Sequence, residues 1–207
     1  SSPSGITSDP KPRNQSVVFL CSYHILLQKI LPSIRCKAFT FHTLDFYFAN
    51  FMALLTLTSD IGDQDYLAGA IKGQLLQIDP AFTIVDITHG IAPFNYPQAA
   101  YVCRNAIRNF PPFSFHLLLV NLFDRKNDHL LMAFHRNQYI LCADNGLLTM
   151  VLEDKPEMVI GLALDPKVTR TTLYCTSVMA NAIQKLQKGT SLQQIGEPDL
   201  QIVEKNH

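Results

Sequence analysis

Two stretches of the sequence place a polar side chain just beyond the end of a predicted strand. In the first, Thr-Leu-Thr-Ser-Asp-Ile-Gly, Asp60 follows a strand predicted at residues 54–58. Open α/β sheets bind ligands just beyond the carboxyl ends of their strands, so Asp60 is well placed to meet a ligand. A carboxylate accepts hydrogen bonds from two neighbouring hydroxyls, such as those of a ribose. The alternative role is to cap a helix that is predicted to begin near Gln64.

The second stretch is a continuously apolar strand, predicted at residues 115–120, which is followed by Asn121. The amide of Asn121 can position a nucleophile but cannot accept a proton as a general base. In the charged loop that follows, Asp124 or Asp128 could act as a base, and Arg125 could reach in from a neighbouring position. A solvated charged loop is the simpler interpretation of the same residues.

Other polar residues fit structural roles better than catalytic ones. Asp86 and His89 resemble an acid–base pair, but their place at a strand end and in the next turn favours hydrogen bonds that shape the loop. Asp65 is predicted to cap the next helix, and Lys72 to be a solvated helix lysine. The Asp-Asn-Gly turn at residues 144–146 is assigned no chemistry, because a glycine at positive φ accounts for it.

The elements that must position these residues alternate between strands and helices. Strands are predicted at residues 54–58, 82–87, 115–120, 130–134, 138–142 and 159–164, and helices at residues 65–78, 96–110 and 175–188. This alternation is typical of βαβ units in an α/β fold. The unbroken apolar run at 115–120 indicates a parallel strand that is covered on both faces.

Composition argues against several classes of partner. Lys and Arg together number 17, as do Asp and Glu, so no net field steers the chain toward nucleic acid or an anionic membrane. The apolar residues between 17 and 31 are too few and too interrupted to predict a membrane span. Five cysteines without a CxxC pair favour reduced thiols in the cytoplasm over a disulfide framework or a metal site.

Residues 1–51 differ from the rest of the sequence. They begin with a polar, proline-bearing segment and lack a recognisable order of elements. Met52 immediately precedes the first organised strand, so we expect the native start there and interpret residues 1–51 as a non-native or upstream extension. A targeting or docking extension is the alternative. The organised α/β domain is then predicted at residues 52–198.

Four stretches of that domain carry a resemblance to a known family. They are LTLTSDIGDQDYLAGAIKG, IVDITHGIAPFNYPQAAY, QYILCADNGLLTMVL and GTSLQQIGEP. In this order they resemble the adenosine-forming S-adenosylmethionine hydrolases, which are related to the fluorinase and the chlorinase. The resemblance implies a Rossmann-like, mostly parallel sheet with flanking helices, then a C-terminal β-barrel domain. It also implies a homotrimer that holds the nucleoside between one subunit's first domain and its neighbour's second.

The sequence ends at His207. We therefore expect the family's β-barrel domain to be missing, with residues 199–207 as the start of a truncated linker to it. For the residues present, the resemblance implies that Asp60 binds the ribose. It also places Phe94, Asn121, Thr172 and Cys175 in the substrate-binding site, with Phe94 packing either on the ligand or within the protein.

Three positions depart from the pattern of the hydrolases. Asn121 stands where they carry an aspartate, Asp128 where they carry an arginine, and Tyr174 where they carry a histidine. In the family these three groups hold and polarise the attacking water or hydroxide. Halogenating members also have a tyrosine at the position of Tyr174, but Cys175 replaces the serine of their halide site. Asn121 and Tyr174 are the candidates for the catalytic positions.

Two functions remain open from the sequence. The first is an enzyme in which water or hydroxide attacks C5′ of S-adenosylmethionine and releases adenosine and methionine, without a metal or another cofactor. The second is a nucleoside-binding module, or an inactive fragment, that has lost the water-activating set. In both cases the expected partner is a small-molecule nucleoside.

Overall fold

The computed structural model describes residues 52–124, 127–152, 154–198 and 200–205. The predictions for residues 1–51 and for Arg125 therefore lie outside the described residues. Within the described ranges, no helix combines the length and the apolar character needed to cross a membrane.

The described domain alternates strands and helices as the sequence predicts. Its strands are β1 (Leu54–Ser59), β2 (Thr83–Thr88), β3 (Phe115–Leu119), β4 (His129–His135), β5 (Gln138–Ala143), β6 (Met158–Ala163) and β7 (Glu197–Pro198). Its helices are α1 (Leu67–Ile78), α2 (Tyr96–Ile107), α3 (Leu147–Val151), α4 (Thr172–Gln187) and α5 (Leu192–Ile195). The bounds of β1 to β6 agree with the predicted strands to within one residue.

The strands form one sheet in the order β2-β1-β3-β5-β4-β6-β7. Strands β2, β1, β3 and β5 are parallel, whereas β4, β6 and β7 join through antiparallel pairs. The prediction of a Rossmann-like, mostly parallel α/β sheet is confirmed. From β1 the chain moves to β2 on one side and then returns to β3 on the other. This reversal leaves a crevice at the carboxyl ends of β1 and β3, where α/β sheets bind ligands.

Helices cover both faces of the sheet, which explains the unbroken apolar sequence of β3. Leu117 and Leu119 join a buried cluster that includes residues of α1 and α4. Leu118 and Val120 join a second cluster, which includes residues of α2 and α3. Because side chains alternate along a strand, each face needs its own apolar residues.

Some helix bounds differ from the prediction for local reasons. Helix α4 begins at Thr172, three residues early, because the Thr171 hydroxyl accepts a hydrogen bond of 3.1 Å from the Tyr174 amide and caps the helix. Asp65 lies one residue before the N-cap position of α1, which is Tyr66, and its carboxylate accepts a hydrogen bond of 2.8 Å from the Leu67 amide. The sequence does not predict α3, α5 or β7, which are too short to show a period.

The described residues after β7 run back over the domain. The Val203 amide donates to Asp144 Oδ1 at 2.8 Å, and the Lys205 amide donates to Thr149 Oγ1 at 3.0 Å. The Lys205 side chain then crosses the turn at Gly146, where a Cβ atom would lie 2.5 Å from Lys205 Cγ. The segment predicted as the start of a linker therefore packs against the domain through residues 200–205.

We expect Gly146→Ala to lower the free energy of unfolding more than Gly189→Ala. Both glycines have a left-handed backbone, with φ of 90° and 87°, which costs an alanine about 1–2 kcal/mol. Only the new methyl group at 146 would also displace Lys205, since nothing lies within 4 Å at 189. Urea unfolding of both variants should show a further loss of about 1 kcal/mol for Gly146→Ala. Equal losses would contradict the packing of residues 200–205.

Candidate functional site

Asp60 and Asn121 meet at the crevice between β1 and β3. The two strands are neighbours in register, with Ser59 beside Leu119. The backbone amide of Asn121 donates a hydrogen bond of 2.8 Å to Asp60 Oδ2. The amide of Leu67, in the first turn of α1, bonds to Asp65 instead of Asp60. Asp60 therefore faces the crevice between the strand ends, where a ligand role is favoured over helix capping.

Asn121 is held in an unusual conformation. Its φ is +47°, and only 7 % of the residue is exposed. Its side-chain Oδ1 accepts a hydrogen bond of 2.9 Å from the Phe94 amide. Its Nδ2 is buried and has no hydrogen-bond partner among the described residues. Because an unpaired buried donor costs about 1–3 kcal/mol, this atom is a natural donor for a bound molecule.

A cavity of about 400 Å³ opens at this crevice. That volume falls in the range of small-molecule sites. Four of the predicted site residues line it, namely Asp60, Phe94, Asn121 and Thr172. The other lining residues are Ile61, Pro93, Leu119, Leu122, Phe123 and Asp124. The structure thus brings together one polar cluster and an apolar surround, as is typical of ligand sites.

Two phenylalanines are exposed in this cavity. Phe94 is 68 % exposed with a φ of +60°, and Phe123 is 51 % exposed. Large apolar side chains that remain exposed at a cavity often contact a ligand. Of the two roles considered for Phe94, its exposure favours packing on a ligand over packing within the protein.

Tyr174 and Cys175 do not line the cavity. The Tyr174 hydroxyl accepts a hydrogen bond of 2.7 Å from the Asp165 amide. Cys175 is fully buried in the core. Burial raises the pKa of its thiol, although the nearby Arg170 opposes this effect. A thiol with a raised pKa is a weak nucleophile, so Cys175 has the character of a structural cysteine.

Asp86 and His89 shape the neighbouring loops, in keeping with the structural role predicted for them. His89 Nδ1 lies 2.7 Å from Ser59 Oγ at the end of β1, and its Nε2 lies 3.3 Å from Asp86 Oδ1. Burial raises the pKa of Asp86, but its contacts with Lys72 and His89 outweigh burial and leave that pKa lowered. Lys72 forms an ion pair of 2.5 Å with Asp86, so it is not simply solvated as predicted.

Two residues that the sequence did not single out for the site support the loop after β3. Asn145 Nδ2 donates to the carbonyls of Val120 and Asn121 at 3.1 and 3.0 Å. The Arg170 guanidinium donates to the carbonyls of Leu122 and Asn127, both at 2.9 Å. The Asp-Asn-Gly turn could have flagged Asn145, but no local pattern marks Arg170. Both act on the backbone that carries Asn121.

The fold and the cavity define an α/β domain with a candidate ligand site at the reversal of strand order. Residues 55–196 match the model of the S-adenosylmethionine (SAM) hydroxide adenosyltransferase N-terminal domain. The chain belongs to this family.

Individual proteins are similar to this chain in sequence or in fold. The chain is 35% identical over 105 residues to an (R)-S-adenosyl-L-methionine hydrolase from Methanocaldococcus jannaschii, an alignment that covers 48% of this chain and 40% of the relative. An uncharacterized conserved protein from Thermotoga maritima has a TM-score of 0.60 at 25% identity, covering 75% of this chain and 61% of that one. A conserved hypothetical protein from Thermus thermophilus has a TM-score of 0.59 at 23% identity, covering 75% and 62%. The chain therefore spans less than two thirds of the length of each.

Replacing Asn145 by alanine should destabilise the domain by about 1–3 kcal/mol, because two buried carbonyls lose their donor. A matched control is Asn109→Ala, since Asn109 is exposed and its side chain donates to the Asn105 carbonyl within its own segment. The control should change stability by less than about 0.5 kcal/mol. Urea unfolding of both variants measures the difference, and similar losses would show that Asn145 does not support the loop.

Proposed function

We propose that this chain binds S-adenosylmethionine and that water displaces methionine from C5′ to give adenosine. The observation that carries the proposal is the position of the Asp60 carboxylate, which accepts a hydrogen bond from the backbone amide of Asn121 in a cavity at the carboxyl ends of β1 and β3. Membership of the SAM hydroxide adenosyltransferase family supports the choice of ligand.

The lining residues suit a cationic nucleoside. The ionisable side chains among the described lining residues are Asp60 and Asp124, and both are acidic. Asp60 Oδ2 already accepts a hydrogen bond from the backbone amide of Asn121, so the second carboxylate oxygen is available to the ribose hydroxyls. The exposed rings of Phe94 and Phe123 supply apolar surface, and aromatic faces also attract cations such as a sulfonium.

The reaction needs alignment more than activation. Water forms the new C5′–O bond while the C5′–S bond breaks, and its electron pair leaves with the sulfur. The sulfonium makes methionine a neutral leaving group. The protein must align water, C5′ and sulfur and exclude bulk solvent. No electron is transferred and the leaving group is neutral, so the proposed reaction requires neither a redox cofactor nor a metal that activates the leaving group.

Binding without hydrolysis is the second candidate, and three positions favour it. Asn121 carries an amide that cannot take a proton. The Asp128 side chain is 94 % exposed and does not line the cavity. The Tyr174 hydroxyl is engaged by the Asp165 amide instead of facing the cavity. In this alternative the chain is a nucleoside-binding module or an inactive fragment.

The proposal extends to assembly and location. We propose, as the family resemblance implies, that the complete site is closed by a second domain from a neighbouring subunit of a homotrimer. The chain aligns with 40% of its hydrolase relative. We also propose that it works in the cytoplasm. Three cysteines in the described residues, Cys103, Cys142 and Cys175, are free and buried, which suits a reducing compartment.

Asp60→Ala is expected to weaken binding of adenosine and S-adenosylmethionine by roughly 10- to 100-fold, because hydrogen bonds to a charged group contribute about 1.5–3 kcal/mol. Asp63→Ala is the matched control, since Asp63 is an exposed carboxylate whose side-chain partner among the described residues is its neighbour Gln64. Isothermal titration calorimetry measures both affinities. An unchanged affinity in a folded Asp60→Ala protein would remove the basis of the proposal.

Hydrolysis predicts that adenosine is released and that its 5′ oxygen comes from water. Incubation in ¹⁸O-labelled water, followed by chromatography and mass spectrometry, should show one label per adenosine. Binding of S-adenosylmethionine without any adenosine would favour the binding module over the enzyme. If the protein neither binds S-adenosylmethionine nor releases adenosine, both candidates are overturned.

A further inference from the structure

We propose that Asp124, held by Tyr96 and Lys205, is the carboxylate that accepts the proton of the attacking water in this chain. The inference rests on the proposed function and adds a catalytic residue to it. It arises because Asn121 cannot act as a base, so the proton needs another acceptor in the same cavity.

Asp124 lies in the cavity but is held in place from one side. It lines the cavity together with Asp60, and its side chain is 28 % exposed. The Tyr96 hydroxyl donates a hydrogen bond of 2.6 Å to Asp124 Oδ2. Tyr96 itself is buried, with 8 % exposure, at the first position of α2. The bond fixes one carboxylate oxygen, and Oδ1 is then the oxygen available to a water molecule.

Lys205 completes the cluster from the end of the described chain. Its Nζ lies 3.2 Å from the centroid of the Tyr96 ring and 3.8 Å from Asp124 Oδ2. Its backbone amide is anchored on Thr149. A cation at this position offsets the second negative charge in a cavity that already contains Asp60. Two segments that are distant from Asp124 in sequence, one at Tyr96 and one at Lys205, therefore converge on its carboxylate.

The structure distinguishes between Asp124 and Asp128, the two carboxylates that the sequence offered as candidate bases. Asp128 belongs to the same loop, but its side chain is 94 % exposed and lies 2.9 Å from His129 Nδ1. It does not line the cavity, whereas Asp124 does. A general base must come within hydrogen-bond reach of the proton that it removes, so the geometry favours Asp124.

The proposed step balances in atoms and charge. The water oxygen attacks C5′ as the C5′–S bond breaks, and the electron pair of that bond becomes a lone pair on the methionine sulfur. One water proton passes to Asp124 Oδ1 and later to solvent. The products are adenosine, methionine and one proton.

The test compares Asp124→Asn with Asp128→Asn in the full chain. Asp124→Asn should lower the rate of adenosine formation by about 10²–10⁴-fold, the usual effect of losing a general base. Its affinity for adenosine, measured by calorimetry, should stay within threefold, which also reports that the variant is folded. Asp128→Asn should keep both rate and affinity. Tyr96→Phe should lower the rate by a smaller factor, because it leaves the carboxylate in place.

A reaction with a second nucleophile, azide, tests whether Asp124 acts as a general base or has only a structural role. Azide attacks carbon without losing a proton, so Asp124→Asn should form the 5′-azido product at least as fast as the unaltered protein. An azide reaction that falls in step with the water reaction would overturn the assignment. So would full water turnover in Asp124→Asn, while the proposed function would stand. Absence of adenosine from the unaltered protein would instead overturn the proposed function and, with it, this inference.

Discussion

The hydrogen bond from the backbone amide of Asn121 to the Asp60 carboxylate joins the loops that follow β1 and β3. Those loops diverge because the chain goes to β2 before it returns to β3, and the crevice exists only where they separate. The bond fixes how far apart they stand. It also orients Asn121 so that Oδ1 receives the Phe94 amide from the loop after β2. Three loops from three strands are thus set by one asparagine in a left-handed conformation, which asparagine tolerates better than most residues.

Much of the sheet could be predicted because its signals are local. The unbroken apolar run of β3 reveals burial on both faces. The turn between β4 and β5 places Arg136 and Asn137 at positive φ, as a tight hairpin requires. What escaped prediction has no local signal. Helix α3 has five residues, fewer than periodicity needs, and β7 has two. Their formation depends on surfaces that other parts of the chain provide.

The residues of the candidate site also differ in whether a local sequence signal marks them. Asp60, Phe94, Asn121 and Thr172 were predicted and line one cavity, since strand ends and a family pattern mark them. Tyr174 and Cys175 share that pattern but lie outside the lining, because α4 turns one toward Asp165 and the other into the core. Arg170 reaches carbonyls more than 40 residues away in sequence. Tyr96 reads as an ordinary residue of a helix, and Lys205 falls in a segment that was expected to be only a linker. Contacts of this kind become visible only in three dimensions.

The amide at position 121 changes the charges of the cavity relative to the hydrolase pattern, in which an aspartate stands there. The Asn121 backbone lies within hydrogen-bonding distance of Asp60, so a carboxylate at 121 would place two negative charges close together. Such a pair raises the pKa of one of its members and weakens its role as an acceptor for sugar hydroxyls. Moving the second carboxylate to Asp124, with Lys205 beside it, separates the two charges and offsets one of them. Under the proposed function, the remaining negative charge of the cavity suits a ligand with a single sulfonium, and the second carboxylate oxygen of Asp60 is the acceptor for the ribose. An amide at 121 and an acid at 124 are, in this view, two parts of one electrostatic arrangement.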